Sequence, residues 1–246
     1  MNYAVFLGGT KGLGFELAKH ASEFELIPVI YGTSATQLKN NSETSKPAFY
    51  YDIDLTTYDL DNFRVGHKPI KYLFWIAGAF LKKPLTDTSD YELTHMTNLH
   101  FINPLRVIRE AIKEINAPFH LVTIASCSSW RLREDETVYC ALKSAQAAFT
   151  RNVAVELIRD YPGSQVTLIN PGGLKTVNFW KDYTVDASGF LDPKKVAHII
   201  WKIIRQQSEK FKEVQILRRK PIVAGSEPII EYGAKAPEGM TTLMKG

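Results

Sequence analysis

The sequence predicts an α/β fold, a Rossmann-like doubly wound parallel sheet flanked by helices, on the strength of two observations. Seven short apolar runs rich in β-branched and aromatic residues predict strands: YAVFL, ELIPVIY, KPAFYY, IKYLFWIAG, FHLVTIAS, SQVTLINPG and KEVQILR. Between them, apolar residues at three-to-four spacing predict helices over 13–24, 91–115, 138–161 and 194–207. Continuously apolar strands that alternate with helices are typical of a parallel sheet covered on both faces.

Length and composition favour a single domain. The chain has 246 residues, 45% of them hydrophobic, and no change in composition divides it. We expect this domain to span residues 1–219. In the remaining tail, 220–246, Pro and Gly recur too often for a long helix or strand, so the tail could form a lid, an oligomerisation arm or a partly disordered segment.

Charge, apolar runs and cysteines exclude several kinds of partner. Lys and Arg (30) exceed Asp and Glu (26) by four and both signs are scattered, which argues against nucleic acid. No run approaches the ~18 apolar residues of a membrane span, and the N-terminus lacks a signal-sequence pattern, so we expect a cytoplasmic protein with no membrane partner. Cys127, Cys140 and six dispersed histidines lack metal-ligand spacing, so we expect no metal.

A glycine-rich loop, LGGTKGLG, joins the first predicted strand to the first helix. Gly8, Gly12 and Gly14 fall at this turn, where a missing Cβ lets backbone N–H groups approach a pyrophosphate. The N-terminus of the following helix favours the phosphate charge. A tight connection without a ligand is the alternative interpretation. Thr10 and Leu13 belong to the same loop and complete this candidate cofactor-binding set.

The segment VYCALKSA places Tyr139 and Lys143 at positions i and i+4 of a predicted helix. This spacing puts both side chains on one face, about one turn apart. A neighbouring ammonium favours the phenolate and brings the tyrosine pKa, ordinarily near ~10, closer to neutral pH, where the group can exchange protons. An amphipathic helix with an exposed lysine is the alternative interpretation.

The segment FHLVTIASCSSW predicts a buried strand that ends in a cluster of hydroxyls. Ser126, the first of them, lies thirteen residues before Tyr139. A hydroxyl at the carboxyl end of a strand can donate a hydrogen bond to a substrate oxygen as charge develops on it. Ser128 and Ser129 are rival candidates, with turn formation as their alternative role.

These motifs, in this order, resemble the classical short-chain dehydrogenase/reductase (SDR) family. The glycine loop is similar to the family's T-G-x-x-x-G-x-G, with Leu7 in place of the Thr, and Ser126 lies at the family's distance from Y-x-x-x-K. The resemblance covers roughly residues 3–217. It implies hydride transfer between nicotinamide and a small carbonyl or alcohol. Tyr139 would transfer the proton and Ser126 would stabilise the oxygen, while Lys143 would lower the Tyr139 pKa and bind the nicotinamide ribose.

Further residues take on roles only through this resemblance. Asn98 aligns with the Asn of the family's N-S-Y-K set, which holds a water in a proton relay to the Lys. Asp54, followed by Leu55, takes the adenine-contacting position, with Asp52 as an alternative register. The segments IAG and NPGGLKT stand where the family has N-N-A-G and P-G-x-x-x-T. They supply the remaining cofactor-binding candidates: Ala77, Gly78, Pro171, Gly172 and Thr176.

Two features favour NADP(H) over NAD(H), which is also possible. Lys11 matches the basic position that NADP-preferring members of the family carry, where a cation can pair with a 2′-phosphate. A solvated loop lysine is the alternative. The second strand is followed by Thr33 and Ser34, whereas NAD-specific sites place an Asp or Glu there for the ribose hydroxyls.

The resemblance also implies a homodimer or homotetramer, paired through helices 98–115 and 138–161. Phe179 and Trp180 stand where family members have a mobile substrate loop, and they are candidates for a hydrophobic substrate wall. Substrate identity and reaction direction have no signature in the sequence.

Two other functions compete with a reductase. An extended-family epimerase or dehydratase shares Tyr and Lys, but its loop needs glycine at the position of Phe15. A non-catalytic NADP-binding sensor or scaffold would keep the fold, and Trp75 and Ile76, which replace two family asparagines, leave room for it.

Overall fold

A computed structural model describes residues 1–40, 48–57, 63, 65, 69–219 and 226–235. Its centre is one eight-stranded sheet. The strands are β1 (Asn2–Leu7), β2 (Leu26–Gly32), β3 (Phe49–Asp52), β4 (Ile70–Trp75), β5 (His120–Ile124), β6 (Gln165–Pro171), β7 (Phe211–Leu217) and β8 (Ile229–Tyr232). The spatial order is β3-β2-β1-β4-β5-β6-β7-β8, and its first six strands have the order of a Rossmann sheet.

All seven predicted strands are present and run parallel, whereas the eighth was missed. β8 pairs antiparallel with β7 and comes from the tail, 220–246, where no strand was predicted. It has four residues whose burial alternates between half-buried and exposed, so it offers no continuous apolar run. The prediction of seven strands is therefore one too few.

Helices cover both faces of this sheet. They are α1 (Gly12–Ala21), α2 (Asp90–Thr97), α3 (Asn103–Ile115), α4 (Thr137–Asp160), α5 (Val177–Trp180) and α6 (Pro193–Gln206). The single helix predicted over 91–115 is instead α2 and α3, separated by a π-helical turn at Asn98–Ile102. Pro104 lacks an N–H and cannot continue an α-helical ladder, which explains an irregular turn at this point.

Two apolar layers hold the sheet between its helices. On one face, Trp201 of α6 packs on Phe74, with ring centroids 5.2 Å apart, and donates its indole N–H to the Leu17 carbonyl at 2.9 Å. On the other face, α3 and α4 pack against Trp75, which is fully buried. Because β1 to β7 are parallel, their carboxyl ends share one edge, where open α/β sheets bind ligands.

Within the described ranges, no helix combines the length and apolar character needed to cross a bilayer. In the same residues, no group of three or more His, Cys, Asp or Glu side chains is placed to hold a metal ion.

Candidate active site

The loop between β1 and α1 has a backbone that only glycine fits. Gly8 has φ +92°, and a Cβ there would lie 2.6 Å from the Ala77 backbone. A Cβ on Gly14 would lie 2.0 Å from the Gly8 carbonyl oxygen. The loop therefore lies directly against the end of β4 and against the first turn of α1.

The start of α1 is suited to an anion. Lys11, the N-cap residue, provides no capping hydrogen bond, and the first turn of this fully described helix holds no acidic residue. Backbone N–H groups at a helix N-terminus need partners, which a phosphate can supply. A Cβ on Gly12 would lie 2.8 Å from Thr176 Cγ2, so the loop faces the segment after β6. The cradle fits the pyrophosphate of a dinucleotide.

The ends of β2 and β3 hold the other candidate nucleotide contacts. Thr33 is exposed and Ser34 half-buried in the turn after β2. Asp52 lies beside Gly32 and accepts hydrogen bonds from the Thr36 N–H and hydroxyl.

The segment after β3 holds the predicted adenine-contacting position. Asp54 accepts hydrogen bonds from the N–H and hydroxyl of Thr56 at 2.8 and 2.7 Å. Leu55 is buried, and its carbonyl accepts a hydrogen bond from Asn103 at 2.9 Å.

Ser126, Tyr139 and Lys143 meet where β5 ends against α4. The Ser126 hydroxyl accepts the Ser128 N–H at 3.0 Å and also interacts with the Tyr139 phenol. Lys143 Nζ lies 5.8 Å from the Tyr139 ring centroid. Ser129, a rival candidate, instead donates to the Asn170 side chain at 3.3 Å. All three predicted side chains are nearly inaccessible to solvent, with exposures of 8, 5 and 4%.

Burial governs the proton affinities of this cluster. Desolvation raises the pKa of Tyr139, and the hydrogen-bonding interaction with Ser126 only partly opposes it. Desolvation also lowers the pKa of Lys143 to about 7. Burial therefore decides the direction of the Tyr139 shift, and the lowering of its pKa by Lys143 stays a prediction. A phenol that keeps its proton at neutral pH is suited to donating it.

Lys143 is held by a buried glutamine that sequence reasoning missed. Lys143 Nζ donates to Gln146 Oε1 at 2.8 Å and to the Ile124 carbonyl at 3.4 Å. Gln146 Nε2 donates to the His100 carbonyl in the π turn at 3.1 Å. Asn98 donates its side-chain N–H to the Thr56 carbonyl at 3.3 Å, and its part in a water relay to Lys143 stays a prediction. The described side-chain hydrogen bonds thus join Lys143 to this turn through Gln146.

His100 is a second buried polar residue that sequence reasoning missed. Its Nε2 lies 2.8 Å from the Ala79 oxygen and 2.9 Å from the Ala79 nitrogen, and its Nδ1 has no hydrogen-bond partner among the described residues. Burial, and next the charge of Lys143, hold its pKa well below the usual value. A Cβ on Gly78 would lie 2.8 Å from the His100 ring, so the imidazole covers this predicted cofactor position.

An aromatic cluster covers Tyr139. Phe80 stands edge-on to it at 5.1 Å between ring centroids, and Phe179 lies 6.2 Å away. Trp180 packs on both phenylalanines at 4.7 and 4.9 Å and donates its indole N–H to the Leu174 carbonyl at 2.7 Å. Phe179 and Trp180, the candidates for a substrate wall, thus lie beside the candidate proton donor, and the wall itself stays a prediction. Phe80, which packs on both of them, was not among the candidates.

The remaining predicted positions lie at the same edge of the sheet. Pro171 ends β6, the Gly172 N–H donates to the Ile216 carbonyl at 2.9 Å, and Thr176 precedes α5. The Ala77 N–H donates to the Leu7 carbonyl at 2.8 Å, and Thr10 packs on Gly32.

Cys127 and Cys140 are free thiols. Burial raises the pKa of Cys140 to about 11, which disfavours the reactive thiolate.

A parallel sheet of this order, with a glycine-rich turn after β1, defines the class of Rossmann-type proteins. The model of the short chain dehydrogenase family matches residues 2–185. That range is well over half of the chain, which therefore belongs to the short chain dehydrogenase family.

Known relatives are distant in sequence. A dehydrogenase of Cochliobolus heterostrophus is 27% identical over 175 residues, which are 66% of this chain and 63% of that protein. An uncharacterized oxidoreductase of Saccharomyces cerevisiae is 28% identical over 196 residues, 72% of this chain and 61% of that protein. The chain thus spans less than two thirds of the length of these relatives.

Solved structures share the fold at low identity. An alcohol dehydrogenase from Thermococcus sibiricus, complexed with 5-hydroxy-NADP, superposes with a TM-score of 0.73 at 18% identity, over 90% of this chain and 99% of that one. A short-chain dehydrogenase/reductase from Vibrio parahaemolyticus superposes with a TM-score of 0.70 at 21% identity, over 89% of this chain and all of the other.

Proposed function

We propose that this protein is an NADP(H)-dependent oxidoreductase that transfers hydride between nicotinamide and a carbonyl or alcohol substrate. The observation that carries the proposal is the meeting of Ser126, Tyr139 and Lys143 at the sheet edge that also holds the glycine loop. This edge is where an open α/β sheet binds its ligand.

The residues along this edge would hold the nucleotide. The loop from Gly8 to Gly14 would bind the pyrophosphate, because the first turn of α1 holds no acidic residue and its N-cap makes no side-chain hydrogen bond. When bound, the nucleotide supplies the hydride chemistry, and the protein supplies orientation and electrostatics. The other nucleotide contacts in the proposal are Thr10, Lys11, Gly12, Leu13, Thr33, Ser34, Asp54, Leu55, Ala77, Gly78, Tyr139, Lys143, Pro171, Gly172 and Thr176.

Tyr139 would act as the proton donor in the direction of reduction. Its pKa is raised by burial, so the phenol carries a proton at neutral pH and can give it to the carbonyl oxygen as that oxygen becomes an alcohol. The Ser126 hydroxyl would donate a hydrogen bond to the same oxygen. The ammonium form of Lys143 would stabilise the phenolate that remains.

Access to Tyr139 requires movement of its aromatic cover. The side chain is only 5% exposed, and Phe80 and Phe179 both pack against it. A substrate carbonyl therefore reaches the phenol only when one of these rings moves aside. The same rings would then border the substrate, which favours compounds with an apolar body.

The preference for NADP(H) has a direct test in the loop. Lys11→Ala should weaken NADPH binding by about tenfold and leave NADH binding unchanged, since a lysine that pairs with a 2′-phosphate contributes about one charge-assisted hydrogen bond. Lys19→Ala, which removes a lysine near the other end of α1, is the matched control. Calorimetric titration of each variant with both nucleotides measures the effect. Equal NADPH and NADH affinity in the wild type would refute the preference, and failure to bind either would refute the proposed function.

Gln146 offers a test of the role of Lys143. Gln146→Glu places a carboxylate where the amide now accepts from Nζ, so it should raise the Lys143 pKa by about one unit or more. Turnover that needs the ammonium form of Lys143 should then persist to higher pH. The midpoint of the fall in kcat on the alkaline side should move to a higher pH. Gln206→Glu, an exposed position on α6, is the matched control. An alkaline midpoint that does not move would show that the pH dependence of kcat does not come from Lys143.

The outer side of α4 supports the proposal of a homodimer. Ala141 and Ala148 are exposed there, and Val155 is 70% exposed, whereas Ala154 is buried against the sheet. Small and apolar residues on an exposed helix face allow close packing with a second copy. Sedimentation velocity measures the assembly state directly.

A further inference from the structure

Three arginines gather beside the candidate active site. Arg131 and Arg133 follow the hydroxyl turn after β5, and Arg218 follows β7. Trp130 and Leu217 pack together in one buried cluster with Cys127. Each of these two residues directly precedes an arginine, so the cluster brings Arg131 and Arg218 to neighbouring places on the sheet edge.

Arg218 is half-buried, and no described residue accepts a hydrogen bond from its guanidinium. Its guanidinium carbon lies 5.0 Å from the centroid of the Phe190 ring, and its stem approaches the backbone of Gly172. Among the described residues, its guanidinium makes no hydrogen bond and no ion pair within 4 Å. A guanidinium carries five N–H donors in a fixed fork, and partly buried donors need acceptors.

The charges around Arg218 are predominantly positive. Burial lowers its pKa most, the nearby Cys127 thiol raises it, and the charges of Arg133 and Arg131 lower it. Asp186 opposes them, but its carboxylate already accepts the Ser188 N–H at 2.9 Å. Glu134, Asp135 and Glu136 follow Arg133 in the chain, but none of them is among the charges that shift the Arg218 pKa, and burial raises the pKa of Glu136. The surroundings therefore favour an added anion.

A continuous row of aromatic rings joins this arginine to Tyr139. Phe190 packs on Trp180 at 5.1 Å between centroids, Trp180 packs on Phe179 at 4.9 Å, and Phe179 lies 6.2 Å from Tyr139. One end of the row thus carries the candidate proton donor. The other end carries a guanidinium whose donors have no acceptor among the described residues.

We propose that the substrate is a carbonyl compound with an apolar, ring-containing body and a carboxylate, and that Arg218 binds the carboxylate while the carbonyl lies at Tyr139. Arg131 and Arg133 add positive charge at the same end. This inference rests on the proposed function, since it names the substrate class of the same site. A planar guanidinium and a carboxylate form the two parallel hydrogen bonds that make such pairs strong.

The test compares ring ketones that differ only in charge. The probes are 3- and 4-acetylbenzoate and their methyl esters, titrated into the NADP⁺-loaded protein by calorimetry and then assayed for reduction with NADPH. We expect each affinity and kcat/KM to be about tenfold higher for at least one carboxylate than for its ester. Arg218→Ala should remove that preference and leave the ester unaffected, and Arg218→Lys should restore part of it.

The control is Arg205→Ala. Arg205 is an exposed arginine on α6, and its guanidinium carbon also lies over a ring, 4.3 Å from the centroid of Phe24. The substitution should leave the carboxylate preference intact. Equal binding of acids and esters by the wild type, or a preference that survives Arg218→Ala, would overturn the inference. Binding of acids and esters is measured by calorimetry on the protein with bound NADP⁺, so the carboxylate preference can be determined even if the probes are not reduced. Failure of the protein to bind either nucleotide would instead refute the proposed function.

Discussion

Replacing Tyr139 with Phe should lower kcat by about 10²- to 10⁴-fold, the usual contribution of a positioned general acid. The substitution removes only the hydroxyl, so the carbonyl oxygen loses its proton donor while the ring keeps its contacts with Phe80 and Phe179. Nucleotide affinity should change little. Steady-state rates and calorimetric titration of the same preparation separate the two effects.

Tyr72→Phe is the matched control for this substitution. Tyr72 is also a buried tyrosine whose pKa burial raises, but it packs against Trp201 on the face of the sheet that α6 covers. It should retain full activity. Wild-type turnover in Tyr139→Phe would exclude Tyr139 as the proton donor.

Replacing Lys143 with Met should abolish turnover and also stabilise the fold. Burial lowers the folded-state pKa of Lys143 to about 7, below its unfolded value near ~10.4. Burying Lys143 therefore lowers the free energy of unfolding by its full amount below about pH 7. This destabilisation decreases as the pH rises toward ~10.4. Methionine removes that destabilisation but also the hydrogen bonds to Gln146 and Ile124, so we expect a net gain of about 2 kcal/mol at pH 6.

Urea unfolding at pH 6, 8 and 10 measures this stability difference. The gain should be largest at pH 6 and should shrink by pH 10. Lys202→Met, at an exposed position on α6, should show no such dependence. A gain that is constant with pH would mean that the folded protein does not hold Lys143 with a lowered pKa.

The sequence predicts the central sheet because β1, β2, β4, β5 and β6 are short, mainly apolar runs, a pattern set by burial on both faces. It also places the glycine loop correctly, since Gly8 and Gly14 occupy positions that admit no Cβ. β8 could not be predicted, because a short edge strand with alternating burial resembles the loops around it. The π turn was missed because its apolar spacing continues that of α2.

The proton chemistry of the site depends on contacts between distant segments. Local spacing pairs Tyr139 with Lys143, but the raised Tyr139 pKa arises from burial, and the rings that cover it are Phe80, in the segment after β4, and Phe179 of α5. Gln146 carried a weak signal, since it falls three residues after Lys143 on the same helix face. Its link to His100 depends on the π turn, which local spacing did not predict.

Transfer of label from 4,4-dideuterated NADPH to the carbonyl carbon of a ring ketone tests the central claim most directly. The wild type should give an alcohol that carries deuterium at that carbon, and Tyr139→Phe should give at least about a hundredfold less in the same time at the same enzyme concentration. If the wild type binds NADPH but no ketone in the series receives deuterium, the claim of carbonyl reduction is contradicted, and a nucleotide-binding sensor or scaffold becomes the better account.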